Sequence, residues 1–438
     1  MQITKIIMVL VFLSGLSIST SWAKFVQWQP QIPSSLDLFN GNAKALANLA
    51  GDHIVIFAHP SQQISLPTMK AGQKVIGKFQ SAAVVVPTNS KNVSRLLNNY
   101  PNYAGLFPTL KSAEVLQQQG STSQVEYRIH IPTPIPVLNF KETVVMQHQI
   151  DHNSINSLVL QAPVPFGAGK IEWFEIDAQH TLISVTQWGD LNQPKGFLFS
   201  KILNALPDAK LGIPAGTNSF LLESLQRRFK AFSSETLAAN QLPELKLNAS
   251  QLDKVTQLSQ SSKEPVSFIL AAQRVPFGQN YELMRFSTSF QYYAQEPSSL
   301  QRWINVSSFK HLFPRQVKHM QVQKINPHLM DADYKISVGL GVINIPFDFK
   351  MRFNYPDLLQ NQYTATGGDL KFVRGAMHIR PLQQGSLLQL TSAVKIDDKA
   401  PFLLRAMRSM PYHDMLPALG GNTVFALKVK QKLNLNLD

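Results

Sequence analysis

The sequence predicts an α+β fold built twice in tandem. Three observations carry that prediction: two halves that lie over each other at an offset of 204 to 209 residues, strand-like alternating segments in both, and a helical segment closing each half.

The chain opens on a segment of secretory type. Lys5 supplies the positive end, Ile6 to Leu16 an apolar run, and Ser21 and Ala23 the small residues before a cut, so residues 1–23 are expected to be a signal peptide and the mature chain to start near Lys24. A membrane anchor is the competing reading, but the run is short for a span. No later apolar run approaches spanning length, and a soluble product is expected. The 438 residues include no cysteine, which excludes disulfides, thiolate metal sites and cysteine nucleophiles. Export without disulfides suits a bacterial periplasm. A 44% apolar composition indicates globular domains able to bury cores.

The net charge of +14 favours anionic surfaces such as phospholipid headgroups. Export takes nucleic acid out of reach. Because the charges are scattered rather than blocked, plain solubility explains them equally well.

Each half begins with a helix and a strand, Asn42 to Leu49 with His53 to Ala58, and Leu252 to Leu258 with Val266 to Ala272. A β-branched and aromatic strand follows, Phe79 to Val86 and Phe286 to Tyr293, ending in Pro-containing breaks. Next comes a helix with i, i+3, i+4 spacing, Val93, Leu96, Leu97 against Leu300, Trp303, Ile304. Tyr103-Ala-Gly-Leu-Phe-Pro108 and Phe309-Lys-His-Leu-Phe-Pro314 then share an aromatic residue, a two-residue gap and Leu-Phe-Pro. Strands are predicted at Gln124 to Ile131, Val137 to Met146, Ser157 to Ala162, Gly169 to Ile176 and Thr181 to Gln187. Their counterparts are Ala332 to Val338, Ile343 to Phe353, Gln362 to Gly367, Asp369 to Ile379 and Ser386 to Ile396, and Ile-Pro recurs at 135–136 and 345–346. Helical sequence closes both halves, from Lys195 to Pro207 and Lys399 to Pro411, then onward from Asn218 and Thr423 to basic ends at Arg227-Arg228 and Lys428, Lys430 and Lys432. The last Leu-Asn-Leu-Asn-Leu fits either helix or strand. The polar stretch Ser233 to Lys263 marks the boundary, giving domains at 24–232 and 233–438.

This element order, with the Tyr/Phe-x-x-Leu-Phe-Pro turn, resembles the START-like (SRPBCC) superfamily, particularly its polyketide cyclase/dehydrase and lipid transport and coenzyme Q-binding branches. The resemblance covers about residues 75–230 and 282–435. It implies tandem helix-grip domains, each a curved antiparallel sheet wrapped around a long C-terminal helix, with an apolar cavity that in relatives holds lipids, quinones, sterols or polyketides. No catalytic residue carries over from it. The N-terminal helix and strand of each half depart from the usual domain, and could cap the cavity or join the copies.

A concave sheet face that one helix does not fill leaves space that rewards an apolar ligand by about 25 cal/mol per Å² removed from water. Candidate lining residues are Tyr103, Phe107, Phe220 and Leu221 in the first copy, and Phe309, Phe313, Val424 and Phe425 in the second. Each could instead pack a solid core.

Patterns for hydrolase elbows, zinc helices, phosphate loops and dinucleotide loops are absent. Pro411-Tyr412-His413-Asp414 could hold a general base or metal ligand, though a helix cap suits it better. Asp151-His152 reads as a hairpin turn. Alternation puts Glu172 and Trp173 on opposite strand faces, leaving Glu172 to solvent. No cofactor, metal or catalytic residue is predicted. The expected function is periplasmic binding or transport of an apolar ligand, lipid or quinone-like, near an anionic membrane. A cyclase- or hydratase-like enzyme in the same cavity, or an envelope interaction protein, are the alternatives.

Overall fold

The computed structural model describes residues 24–131, 140–195, 200, 203–204, 207–230, 234–239, 241–340, 343–398 and 400–435. The predicted signal segment, Ile135-Pro136 and much of the stretch between Lys195 and Pro207 lie outside them.

The first half runs α1 (Ala43–Ala50), β1 (Ile54–Ala58), a small hairpin of β2 (Gln62–Ile64) and β3 (Val75–Gly77), β4 (Gln80–Val86), α2 (Ser90–Leu97), α3 (Tyr103–Leu106), β5 (Leu110–Gln119), β6 (Thr122–Ile131), β7 (Phe140–Asp151), β8 (Ser154–Gln161), β9 (Gly167–Glu175), β10 (Thr181–Gly189) and α4 (Ala209–Phe229). The second runs β11 (Glu235–Thr236), α5 (Ala249–Ser262), β12 (Val266–Phe277), β13 (Asn280–Tyr293), α6 (Pro297–Ile304), α7 (Phe309–Leu312), β14 (Val317–Asn326), β15 (Leu329–Leu340), β16 (Ile343–Asp357), β17 (Gln360–Gly368), β18 (Phe372–Pro381), β19 (Ser386–Lys395), α8 (Phe402–Ala406) and α9 (Leu416–Leu435).

Local chemistry sets the helix starts. Asn42, Asn89 and Asn248 each turn a side-chain oxygen onto a first-turn amide, and Asn248 with Gln251 forms a full capping box. The main strands of each half pair antiparallel, in the order β5-β6-β7-β8-β9-β10-β4-β1 and β14-β15-β16-β17-β18-β19-β13-β12, and the short β11 runs parallel to β12. Both halves are helix-grip domains, with α4 and α9 lying in the concave faces.

β5 and β14 were not among the predicted strands. They are the outer edges, and a register shift after Leu110 and after Val317 puts the inward apolar residues at 110, 113 and 115 and at 317, 320 and 322, which breaks the strict alternation that marks a strand.

The copies meet across β1 and β12, which pair antiparallel with Val55 opposite Phe268 and Ile56 opposite Ser267. Val55 and Val266 are equivalents, since they face Ala83 and Phe290, 207 positions apart, on the next strands. Ile56 therefore faces its own counterpart, and a local twofold axis passes between the two. The long helices cross on the same axis: a Cβ on Gly212 would lie 3.6 Å from Gly420 Cα, and one on Gly216 3.9 Å from Leu416, the swapped pair. The N-terminal extensions thus join the copies. α1 and α5 cover the back of the sheet over this seam, burying Leu46, Phe57, Val255, Phe268 and Phe286, and Gln251 donates to the Asn48 carbonyl at 2.7 Å.

Charge reinforces the seam. Lys78, just before β4, and its equivalent Arg285, within β13, each reach a carboxylate of the other copy: Lys78 meets Glu264 at 2.6 Å, and Arg285 meets Glu223 at 2.7 Å with both side chains buried.

Candidate functional site

Each grip retains a cavity. The first, about 250 Å³, lies between α3, α4 and the concave face of β5 to β10. Local sequence builds its closed end. The Pro101 turn leads into α3, the Tyr103 hydroxyl donates to the Leu97 carbonyl at 2.6 Å, and the Tyr103 and Phe107 rings meet edge-on at 5.3 Å. Tyr103, Phe107, Phe220 and Leu221 all line it, together with aliphatic Ile129, Val144, Met146 and Val159. The second, about 240 Å³, is lined by Phe309, Phe313, Tyr334, Phe349, Phe353 and Tyr363 among others. Phe425 backs its wall, its ring edge-on to Phe309 at 5.5 Å and tilted against Phe313 at 6.1 Å. Val424 does not line it, because the turn of α9 that carries Phe425 inward carries Val424 toward Gly212 of α4.

The cavities share a frame but not a chemistry. In the first, His148 Nε2 lies 2.7 Å from the Tyr127 hydroxyl and His148 Nδ1 lies 2.8 Å from Ser157 Oγ, all three side chains being buried. Tyr100 stacks on the imidazole at 4.8 Å. Burial pushes His148 down to about 3 and holds it neutral, and pushes the Tyr100 hydroxyl up to about 12. Strand pairing identifies the counterparts. His148 faces Ser123 and Ser157, and Phe353 faces Met330 and Tyr363, so the second copy has Tyr334, Phe353 and Tyr363 where the first has Tyr127, His148 and Ser157. Tyr334 stacks on Phe349 at 4.8 Å.

The sequence reading missed this polar trio. A signal existed: Val144, Met146 and His148 fall on one face of β7 by alternation, but the predicted strand stopped at Met146.

The other candidates fall elsewhere. Asp151-His152 sits at the β7–β8 turn, where Asp151 accepts from the His152 amide. His413 Nδ1 lies 3.1 Å from the Met410 carbonyl, ahead of α9, and Asp414 follows it in the same turn. Among the described residues no three His, Asp or Glu side chains converge as a metal site. Trp173 enters the core and Glu172 takes the opposite face as expected, but Glu172 is not in solvent. The segment before α1 covers it, and Ser35 donates to its carboxylate from backbone (3.0 Å) and hydroxyl (3.3 Å).

Two larger depressions, about 420 and 770 Å³, lie along the seam between the copies. Both are lined by many charged and polar side chains, several of them paired, as in Asp52–Lys230, Glu223–Arg285, Glu282–Lys395 and Asp398–Arg408, so neither is an apolar site. The basic helix ends are partly engaged too: Lys428 meets Asp208 at 2.8 Å, and Lys430, lowered to about 8 chiefly by burial, donates to the Lys263 carbonyl. Among the described residues no helix is long and apolar enough to cross a membrane.

No protein-family model matches the chain, and no curated protein matches it. Among solved structures it is similar to two di-domain ARO/CYC proteins, StfQ from the steffimycin biosynthetic pathway (11% identity, TM-score 0.26, 81% of this chain and 99% of that one) and BexL from the BE-7585A pathway (10%, 0.26, 81% and 95%). It is also similar to a START superfamily protein from Mycobacterium smegmatis (16%, 0.28, 35% and 97%). At such TM-scores the fold rests on the strand order and helix placement described above.

Proposed function

We propose that this protein binds an apolar small molecule reversibly in its two helix-grip cavities, as an exported carrier or sensor. The observation that carries the reading is the pair of cavities, one per copy, at equivalent places between curved sheet and long helix, walled mainly by aromatic and aliphatic side chains. A ligand there gains by leaving water. Location in a periplasm rests on Lys5, the run Ile6 to Leu16 and the small residues Ser21 and Ala23.

The enzyme reading has one observation in its favour, the polar trio of the first cavity. Against it, a general base works best with a pKa near the working pH, and an imidazole held near 3 is a weak proton acceptor at neutrality. Binding is the better account of the trio.

Native mass spectrometry with lipid extraction, on protein recovered from its own host without detergent, tests the proposal. One or two apolar molecules per chain support it and count the working cavities. Protein that is empty, and that takes up no long-chain hydrocarbon or ketone when offered, overturns it.

A further inference from the structure

The proposal that follows rests on the binding reading and deepens it. Ser157, His148 and Tyr127 form a chain with two links, Oγ to Nδ1 and Nε2 to Oη. A neutral imidazole has one N–H, so the trio holds three polar hydrogens: one on serine, one on histidine, one on tyrosine. Two are used by the links. If Nε2 carries the proton, it donates to Tyr127, Ser157 donates to Nδ1, and the Tyr127 O–H is left over. If Nδ1 carries it, it donates to Ser157, Tyr127 donates to Nε2, and the Ser157 O–H is left over. Either way one donor is unspent, and both groups that can present it line the cavity.

The rest of the lining narrows the ligand. The Tyr103 hydroxyl is committed to the Leu97 carbonyl. Lys170, the other basic residue of the lining, donates its ammonium to the Ile32 carbonyl behind the sheet and stands 3.9 Å from Glu172. Thr109 and Gln187 are half-buried neutral groups. Among the described residues of the lining no free cation is thus offered to a carboxylate or phosphate, and burying either uncompensated is costly.

We infer that the first cavity selects an apolar molecule bearing a neutral hydrogen-bond acceptor, of the ketone, quinone or ester carbonyl class. The carbonyl takes the unspent O–H and thereby fixes one imidazole tautomer.

The test uses full-length mature protein with two probes of equal chain length, methyl octyl ketone and n-decane, delivered from cyclodextrin. The expected result is ketone binding to the first cavity about 3- to 10-fold tighter than decane, the range of one net hydrogen bond. That preference disappears in the triple variant Tyr127→Phe, His148→Phe, Ser157→Ala, whose retained decane binding shows that it folds. A second measurement needs no variant fold: the ¹⁵N shifts of the His148 ring move to a single tautomer with ketone and stay put with decane. Equal affinities at the first cavity, or a preference there that survives the triple variant, overturn this inference and leave the binding reading standing. Failure of both probes to bind overturns both.

Discussion

The two cavities have nearly the same volume and sit in the same frame, yet one carries a histidine between two hydroxyls and the other a phenylalanine. The difference separates what the fold requires from what a site adds. The required part is duplicated. The Asn218 amide donates to the Gln80 carbonyl at 2.7 Å, and the equivalent Asn422 donates to the Ser287 carbonyl at 3.1 Å, each clasping the long helix to its sheet. The Ser81–Thr186 hydroxyl pair recurs as Thr288–Thr391. The trio at 127, 148 and 157 is not duplicated, and so belongs to what the first cavity does.

The largest expected effect concerns the seam. Glu223→Ala leaves Arg285 buried without its carboxylate, and should cost about 3–5 kcal/mol in urea unfolding. Glu264→Ala, removing the more exposed partner of the equivalent Lys78, should cost no more than about 1 kcal/mol. Equal losses would break the claim that the twofold seam is anchored unevenly.

The helix clasps come next. Asn422 also bonds both Ser287 Oγ and Ser392 Oγ, whereas the Asn218 carbonyl oxygen has no partner. Asn422→Ala should therefore cost about 2–3 kcal/mol and Asn218→Ala about 1 kcal/mol, by the same unfolding measurement.

Acid should sharpen the comparison further. His148 and His59, both in the first copy, are lowered by burial to about 3 and about 4, so the unfolded chain binds protons that the folded chain refuses. Their contribution is whole above the unfolded value near 6.5 and is lost as pH falls through the window down to those values. The slope should be about 1.4 kcal/mol per pH unit for each histidine. His148→Phe should remove roughly one such increment from the slope, and hydrogen exchange near pH 5 should show the first copy opening before the second.

Much of this was legible in the chain. The Leu-Phe-Pro turns placed Tyr103, Phe107, Phe309 and Phe313 at their cavities, because a repeated turn between helix and sheet fixes direction as well as position. Phe220 and Leu221 were read from the closing helical segment that opens at Gly-Thr-Asn218. What stayed hidden depends on tertiary cover. β5 and β14 carry an apolar face whose spacing is broken by a shift of register near the start of each edge strand. Glu172 reads as a surface residue until the distant Ser35 is laid over it, and Val424 reads as lining until the second long helix is known to lie alongside. His148 was hidden differently, since a polar residue in an apolar register looks like the end of a strand.

The local axis between Ile56 and Ser267 gives this chain the geometry of a symmetric dimer held in one polypeptide. In a dimer of identical subunits every substitution appears twice, and a histidine that improves one pocket must be endured by the other. Here a single codon changes a single pocket. The partner half can go on serving as scaffold while its twin acquires a taste of its own.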